Sequence, residues 1–338
     1  MRKTLAEQPR RKYTHTISSD TGGAAMKAAF IINPEAGKRK SEREARDIIE
    51  ASGVKPGGQT EYYVTKSVGD AERFARQYCL ANAGEELRLI ACGGDGTLNE
   101  VINGAAGFDN ALVGVMPTGT GNDFCRNFPE AGDFMNAKAQ LEGTAVECDA
   151  IRYTVFNGAE EMTRYCANMF NIGFDCNVVD KTNAMKKLPF ISGSLAYLLS
   201  VFIILIKKKG ADLDIELDGE RVHSGRLLLT SLANGCFCGG GVKSNPGSSV
   251  HDGMIDVNIV QNIPRLRFIR IFPHYKKGTH MQLPDIGRTM TEHKCRRAVI
   301  KARNGAMRLC IDGEITDAEK AEFEAVHDAF RFIIPAKG

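Results

Sequence analysis

Between residues 26 and 149, short apolar runs alternate with stretches whose apolar residues recur every three or four positions. Residues 28–32 are wholly apolar, as a strand buried on both faces requires, and residues 61–65, 87–91 and 111–115 give three further strands. Ser41-Glu42-Arg43-Glu44 is a capping box that opens a helix running to about Ala51. Asp70 leads a helix with Ala71, Phe74, Ala75 and Tyr78 on one face, and Leu98, Val101, Ile102 and Ala105 mark another. Alternating strands and helices predict a mostly parallel sheet covered by helices.

After about residue 148 strands dominate. Asp218-Gly219 lies between runs 212–217 and 222–233, and Asn304-Gly305 between 298–303 and 306–311; both dipeptides suit type I′ hairpin turns. Residues 323–326 and 330–334, around His327-Asp328, read as a third hairpin. An antiparallel β-sandwich is expected. The expected organisation is a disordered extension over 1–25, an α/β domain over 26–149 and a β-sandwich domain over 150–338, whose last strands can return to the first. Residues 195–206 interrupt the second half. They are almost wholly apolar and followed by Lys207-Lys208-Lys209, but too few for the ~20 that span a bilayer. They read either as a buried helix or as one that lines an acyl-chain pocket or docks on a membrane.

Composition narrows the function. The 338 residues carry 44 Lys+Arg against 41 Asp+Glu, so bulk charge does not suit a nucleic-acid binder. Locally, residues 261–304 hold eleven basic residues against Asp285 and Glu292, either a solvated face or a surface for anionic lipid headgroups. The ten cysteines form no CxxC pair, and several sit in apolar runs. Free thiols of a reducing cytoplasm are expected, rather than a disulfide scaffold or a zinc site. Neither a Walker A sequence nor a GxSxG elbow occurs, and the seven histidines lack metal-ligand spacing.

The chemistry lies in two glycine turns. Cys92-Gly93-Gly94-Asp95-Gly96-Thr97-Leu98-Asn99-Glu100 follows the 87–91 strand and opens a helix, and Met116-Pro117-Thr118-Gly119-Thr120-Gly121-Asn122-Asp123 follows the 111–115 strand. Glycine lets backbone amides approach a ligand closely, and a helix N-terminus favours an anion. Ligands of such sheets bind beyond the carboxyl ends of the strands, where Asn33-Pro34 also falls. Two such turns point to a nucleotide. Their combination with acidic residues suits phosphoryl transfer.

With these turns, Asn33-Pro34-Glu35-Ala36-Gly37-Lys38, Asn171-Ile172-Gly173-Phe174-Asp175, Ala233-Asn234-Gly235 with Gly239-Gly240-Gly241, Asp252-Gly253-Met254-Ile255-Asp256 and Asp312-Gly313-Glu314 occur in order along nearly the whole chain. In this set the chain resembles the diacylglycerol kinase catalytic-domain family, which includes soluble bacterial lipid kinases and the sphingosine and ceramide kinases. The resemblance implies an ATP site between two domains. Asn33, Thr65, Gly93, Gly94, Asp95, Gly96, Thr97, Thr118, Gly119 and Thr120 would line it, with Glu100, Asn122 and Asp123 alongside. It makes Asp312 the general base toward a lipid hydroxyl and Glu314 a ligand of the catalytic Mg²⁺, with Asp95 a rival for either role. A structural Mg²⁺ would sit on Asp252 and the carbonyls of Ser249 and Met254. The expectation is an ATP- and Mg²⁺-dependent kinase of diacylglycerol or a related lipid, cytoplasmic and peripheral to the inner membrane face, with a homodimer plausible. A soluble-metabolite kinase of the NAD kinase type and a nucleotide-binding regulator without turnover are the alternatives.

Overall fold

The computed structural model describes residues 26–37, 42–173, 210–312 and 314–337. Strands β1 (Met26–Ile32), β2 (Thr60–Val64), β3 (Glu86–Gly93) and β4 (Ala111–Pro117) lie parallel in the order β2-β1-β3-β4. Their apolar runs face cores on both sides. Helices α2 (Asp70–Ala81) and α3 (Asp95–Ala105) close one face, with Ala75, Cys79, Leu98 and Val101 on Ile31, Leu89 and Ala91. Helices α1 (Glu42–Ala51) and α4 (Ala137–Glu142) close the other, with Ile49 and Ala137 packed among Phe30, Ile32 and Ile90.

The second half is antiparallel and sandwich-like. It holds β5 (Thr144–Asn157), β6 (Glu160–Cys166), β7 (Met169–Gly173), β8 (Ala211–Leu217), β9 (Glu220–Ala233), β10 (Ile255–Gln261), β11 (Met290–Cys295), β12 (Arg297–Ala302), β13 (Met307–Ile311), β14 (Glu314–Ala318) and β15 (Lys320–Ile334). Phe170, Ile215, Leu232, Val257, Ile300 and Phe323 fill its core. The β8–β9 hairpin turns on Asp218 and Gly219, both with positive φ (49° and 89°), as a type I′ turn demands.

Two expected hairpins are corrected. Asn304-Gly305 joins strands that do not pair: β12 lies between β8 and β15, whereas β13 lies between β7 and β14. The turn carries the chain from one part of the sheet to another. His327-Asp328 is not a turn but a bulge within the single strand β15, with Asp328 at φ 51°. On one side β15 pairs with β5 along its length. On the other it pairs with β12 through residues 320–324, then in parallel with β4 through Arg331 and Phe332. Phe332 and Ile333 are fully buried, so the last strand completes the parallel sheet.

A helix that the strand pattern did not suggest, α5 (Arg265–Lys277), connects β10 to β11. No helix among the described residues is long and apolar enough to cross a membrane. Stretch 1–25, apolar segment 195–206 with its flanking lysines, Ser41 of the capping box, and Lys38, Phe174, Asp175 and Gly313 of the motifs lie outside the described residues.

Candidate active site

The turns at the ends of β1, β3 and β4 are fastened to one another. Asn33 donates its backbone N–H to Cys92 O (3.0 Å) and its side-chain amide to Thr97 Oγ1 (2.9 Å), and its Oδ1 accepts from Glu35 N (3.0 Å). Thr65 N–H donates to Ile32 O at 2.9 Å, which sets it beside that turn. Gly93 O accepts from both Thr118 N (2.9 Å) and Gly119 N (3.3 Å). The 93–97 and 118–123 turns touch through bare backbone: a Cβ on Gly119 would lie 2.4 Å from Gly94 Cα. Only glycine permits that approach. Helix α3 begins at Asp95 with no side chain capping its N-terminus, so its first amides are available to an anion.

Carboxylates gather around these turns. Asp95 Oδ1 accepts from Asp123 N (2.8 Å) and Phe124 N (3.2 Å), which caps the 3₁₀ turn Phe124–Asn127. Asp123 reaches the second half of the chain: its carboxylate accepts from Gly240 N (2.9 Å) and Gly241 N (2.7 Å), with Arg126 Nε at 3.5 Å. Asp312, between β13 and β14, holds a positive φ of 44°, a conformation Asp tolerates better than most residues. Its Oδ1 accepts from Met169 N (3.0 Å) and its Oδ2 from Cys166 Sγ (3.2 Å). Glu314, the first residue of β14, comes within 3.5 Å of where a Cβ on Gly96 would stand.

Burial pushes the Asp312 carboxyl up to about 7; the Met169 N–H opposes this and the charge of Asp95 adds to it. Burial likewise pushes Asp95 up to about 6, helped by Asp123. Asp123 is raised for the same primary reason. Carboxylates whose pKa burial raises are groups poised to exchange a proton or to receive a cation.

The structure thus sets Asn33 against Thr97, Thr65 beside Asn33, Gly93 and Gly94 against Thr118 and Gly119, and Glu314 beside Gly96, with Asp312 near enough to Asp95 to feel its charge. Two of the expected nucleotide-site residues brace the turns. Glu100 accepts from Gly69 N (2.8 Å) and Ala71 N (3.1 Å), which commits both its oxygens to the start of α2. Asn122, at φ 51°, donates to Pro117 O (3.0 Å) and Gly119 O (2.9 Å) and so shapes the second turn.

At the residues expected to hold a structural Mg²⁺, the Asp252 carboxylate is paired with a lysine. Lys294 Nζ lies 2.6 Å from Asp252 Oδ2 and 3.2 Å from Asp256 Oδ2, so an ammonium already supplies the countercharge. Asp252 Oδ1 accepts from Met254 N (3.2 Å), and Ser249 Oγ from His251 N (3.3 Å). Within the basic 261–304 segment, Lys294 is spent on this pair, and Arg303 on Asp212 and Asp214.

Sequence reasoning missed two features. Cys166 as a partner of Asp312 is one; its only signal was a cysteine in an apolar run. The other is an apolar cavity beneath α5, lined by Leu229, Val260, Ile263, Phe268, Ile271 and Phe272 among others. Polar side chains also line it, among them Tyr275, His280 (0 % exposed) and Thr289 (1 %). Thr289 Oγ1 has no hydrogen-bond partner among the described residues, and burial lowers the His280 pKa while the His274 backbone opposes this. Cys238 and Val242 line the cavity too, and they flank the Gly240 and Gly241 amides that hold Asp123. The loop that holds Asp123 thus also borders the cavity.

Comparison with known proteins agrees with this architecture. Residues 27–153 match the family model of the diacylglycerol kinase catalytic domain, and residues 168–334 that of the YegS C-terminal NAD kinase beta sandwich-like domain. The chain is 29 % identical over 313 residues to a diacylglycerol kinase of Bacillus subtilis, covering 91 % of this chain and 96 % of that one. It is 33 % identical over 262 residues to a diacylglycerol kinase of Staphylococcus aureus, covering 77 % and 78 %. Among solved structures, a diacylglycerol kinase from Bacillus anthracis superposes with a TM-score of 0.62 at 18 % identity, covering 92 % of this chain and 97 % of that one, a likeness of fold.

Proposed function

The chain belongs to the diacylglycerol kinase family, and on that premise we propose that it transfers the γ-phosphate of ATP to the hydroxyl of diacylglycerol or a closely related lipid. The observation that carries this reading is the meeting of the glycine turns with Asp312 and Glu314, which come from opposite ends of the chain. The turns offer backbone amides and the uncapped α3 N-terminus to the phosphates. Asp312 takes the proton of the attacking hydroxyl. Its oxygens accept from Met169 N and Cys166 Sγ, which fixes the carboxylate.

An excess of buried acid beside phosphate-binding amides suits a divalent cation. Glu314 and Asp95 would hold Mg²⁺, whose chemistry there is to neutralise charge on the transferring phosphate. The lipid half of the reading is supported by the cavity beneath α5. Its apolar walls suit an acyl chain, and His280 and Thr289 supply two polar groups for an oxygen of the lipid.

The experiment is transfer of label from [γ-³²P]ATP to a panel of diacylglycerol, monoacylglycerol, sphingosine, ceramide and NAD. Label in the organic extract is the expected result, and label in NADP alone overturns the lipid reading. Asp312→Asn should lower kcat roughly 10²- to 10⁴-fold, the usual worth of a general base, while ATP still binds. Undiminished transfer would remove Asp312 from the role.

A further inference from the structure

Helix α5 shows two faces. Phe268, Ile271, Phe272 and Tyr275, spaced at i, i+3, i+4 and i+7, turn inward and line the cavity. On the outer face Leu266 is 82 % exposed and Ile269 46 %, which makes them two of the five large hydrophobic side chains that the described residues leave in water. Arg265, Arg270, Lys276 and Lys277 are exposed around them. Residues 262–277 contain no acid to balance this charge.

The charge is not placed for the helix's own benefit. Lys276 and Lys277 suit the negative end of the helix dipole, but Arg270, exposed in the second turn, sits nearer the positive end, where a cation is unfavourable. An external anion would offset that cost. Exposed leucine and isoleucine bordered by arginine and lysine are the composition of a helix that lies in a membrane interface. A nucleic acid would answer the charges but not Leu266.

We propose that the outer face of α5 seats the protein on an anionic bilayer. Leu266 and Ile269 enter the boundary between headgroups and acyl chains, and Arg270 and Lys277 meet lipid phosphate. This rests on the lipid-kinase reading and adds a route to it: α5 lies between bilayer and cavity, so a lipid passes beneath the helix without crossing water. Pro273 suits the arrangement, because it lacks the N–H that would bond Ile269 O and loosens the middle of the helix.

The chain contains no tryptophan, so Leu266→Trp creates a single reporter. Its emission should shift to the blue, and be quenched by brominated acyl chains, on vesicles of phosphatidylcholine with phosphatidylglycerol. On phosphatidylcholine alone the shift should be far smaller. Leu80→Trp, on the exposed face of α2, should not respond. At about 1 kcal/mol for each basic residue near such a surface, Arg270→Gln with Lys277→Gln should weaken vesicle binding roughly 30-fold. The same pair should slow phosphorylation of diacylglycerol in vesicles but not of a monomeric short-chain diacylglycerol. A Leu266→Trp shift of equal size on uncharged vesicles, an equal response at Leu80→Trp, or a response to RNA or to added protein but not to vesicles overturns the docking. Binding to anionic vesicles through α5 without phosphorylation of any lipid leaves the docking standing and overturns the substrate reading instead.

Discussion

Asp312 shows how one side chain is prepared for its role by residues remote in sequence. Cys166, 146 positions earlier, lies against its carboxylate; burial, then the negative charge of Asp312, pushes the Cys166 thiol far above its ordinary value, so it stays protonated and donates. Cys166→Ser keeps a donor and should retain most activity. Cys166→Ala removes it and should lower kcat roughly ten- to a hundredfold, the worth of a hydrogen bond to a charged group, with KM for ATP unchanged. Equal kinetics for the two variants would deny the bond any part in positioning the base. The same carboxylate costs stability. Its pKa rises from 3.8 to about 7 on folding, so the unfolded chain releases the proton more readily. The destabilisation is absent below about pH 4, grows as pH rises to about 7 and is constant above. In metal-free protein, Asp312→Asn should therefore raise Tm at pH 8, and the gain should fade as the melts are repeated toward pH 4.

Elements defined by local chemistry were legible in the sequence. The glycine turns are contiguous and end apolar strands, so Gly93, Gly94 and Gly119 announce themselves. Elements defined by their neighbours were not. α5 was hidden because its apolar positions, 268, 271, 272 and 275, are embedded among arginines and lysines, and only the cavity they cover shows which face is inside. Lys294 is 42 positions from Asp252, so their ion pair could not be read from spacing. β15 was misread because the polar dipeptide His327-Asp328 interrupts an apolar run; the polarity belongs to a bulge where Asp149 accepts from the Asp328 N–H at 3.0 Å and lies 2.6 Å from His327 Nδ1. The cavity offers a test at this scale. Val260→Phe, on β10, fills it from the side opposite α5. KM for long-chain diacylglycerol should rise several-fold, with ATP binding unaltered; an unchanged chain-length preference would remove the cavity from substrate binding.

At the scale of the molecule, the two halves share more than a boundary. β5 and β15 pair from Lys320↔Phe156 in the sandwich to Ile334↔Thr144 in the parallel sheet, and the strands of both halves form one fifteen-stranded sheet. Tyr153 and Phe323 lie in one core, Cys148 and Phe332 in the other, all on this pair of strands. Loss of either core strips the pair of half its packing, so calorimetry should record one cooperative transition rather than two. Two separated transitions would show the halves to be thermodynamically independent. The same geometry makes neither half portable. A chimera that borrowed residues 26–149 from a relative would inherit a sheet shaped around that relative's final strand, and would have to borrow residues 330–334 with it.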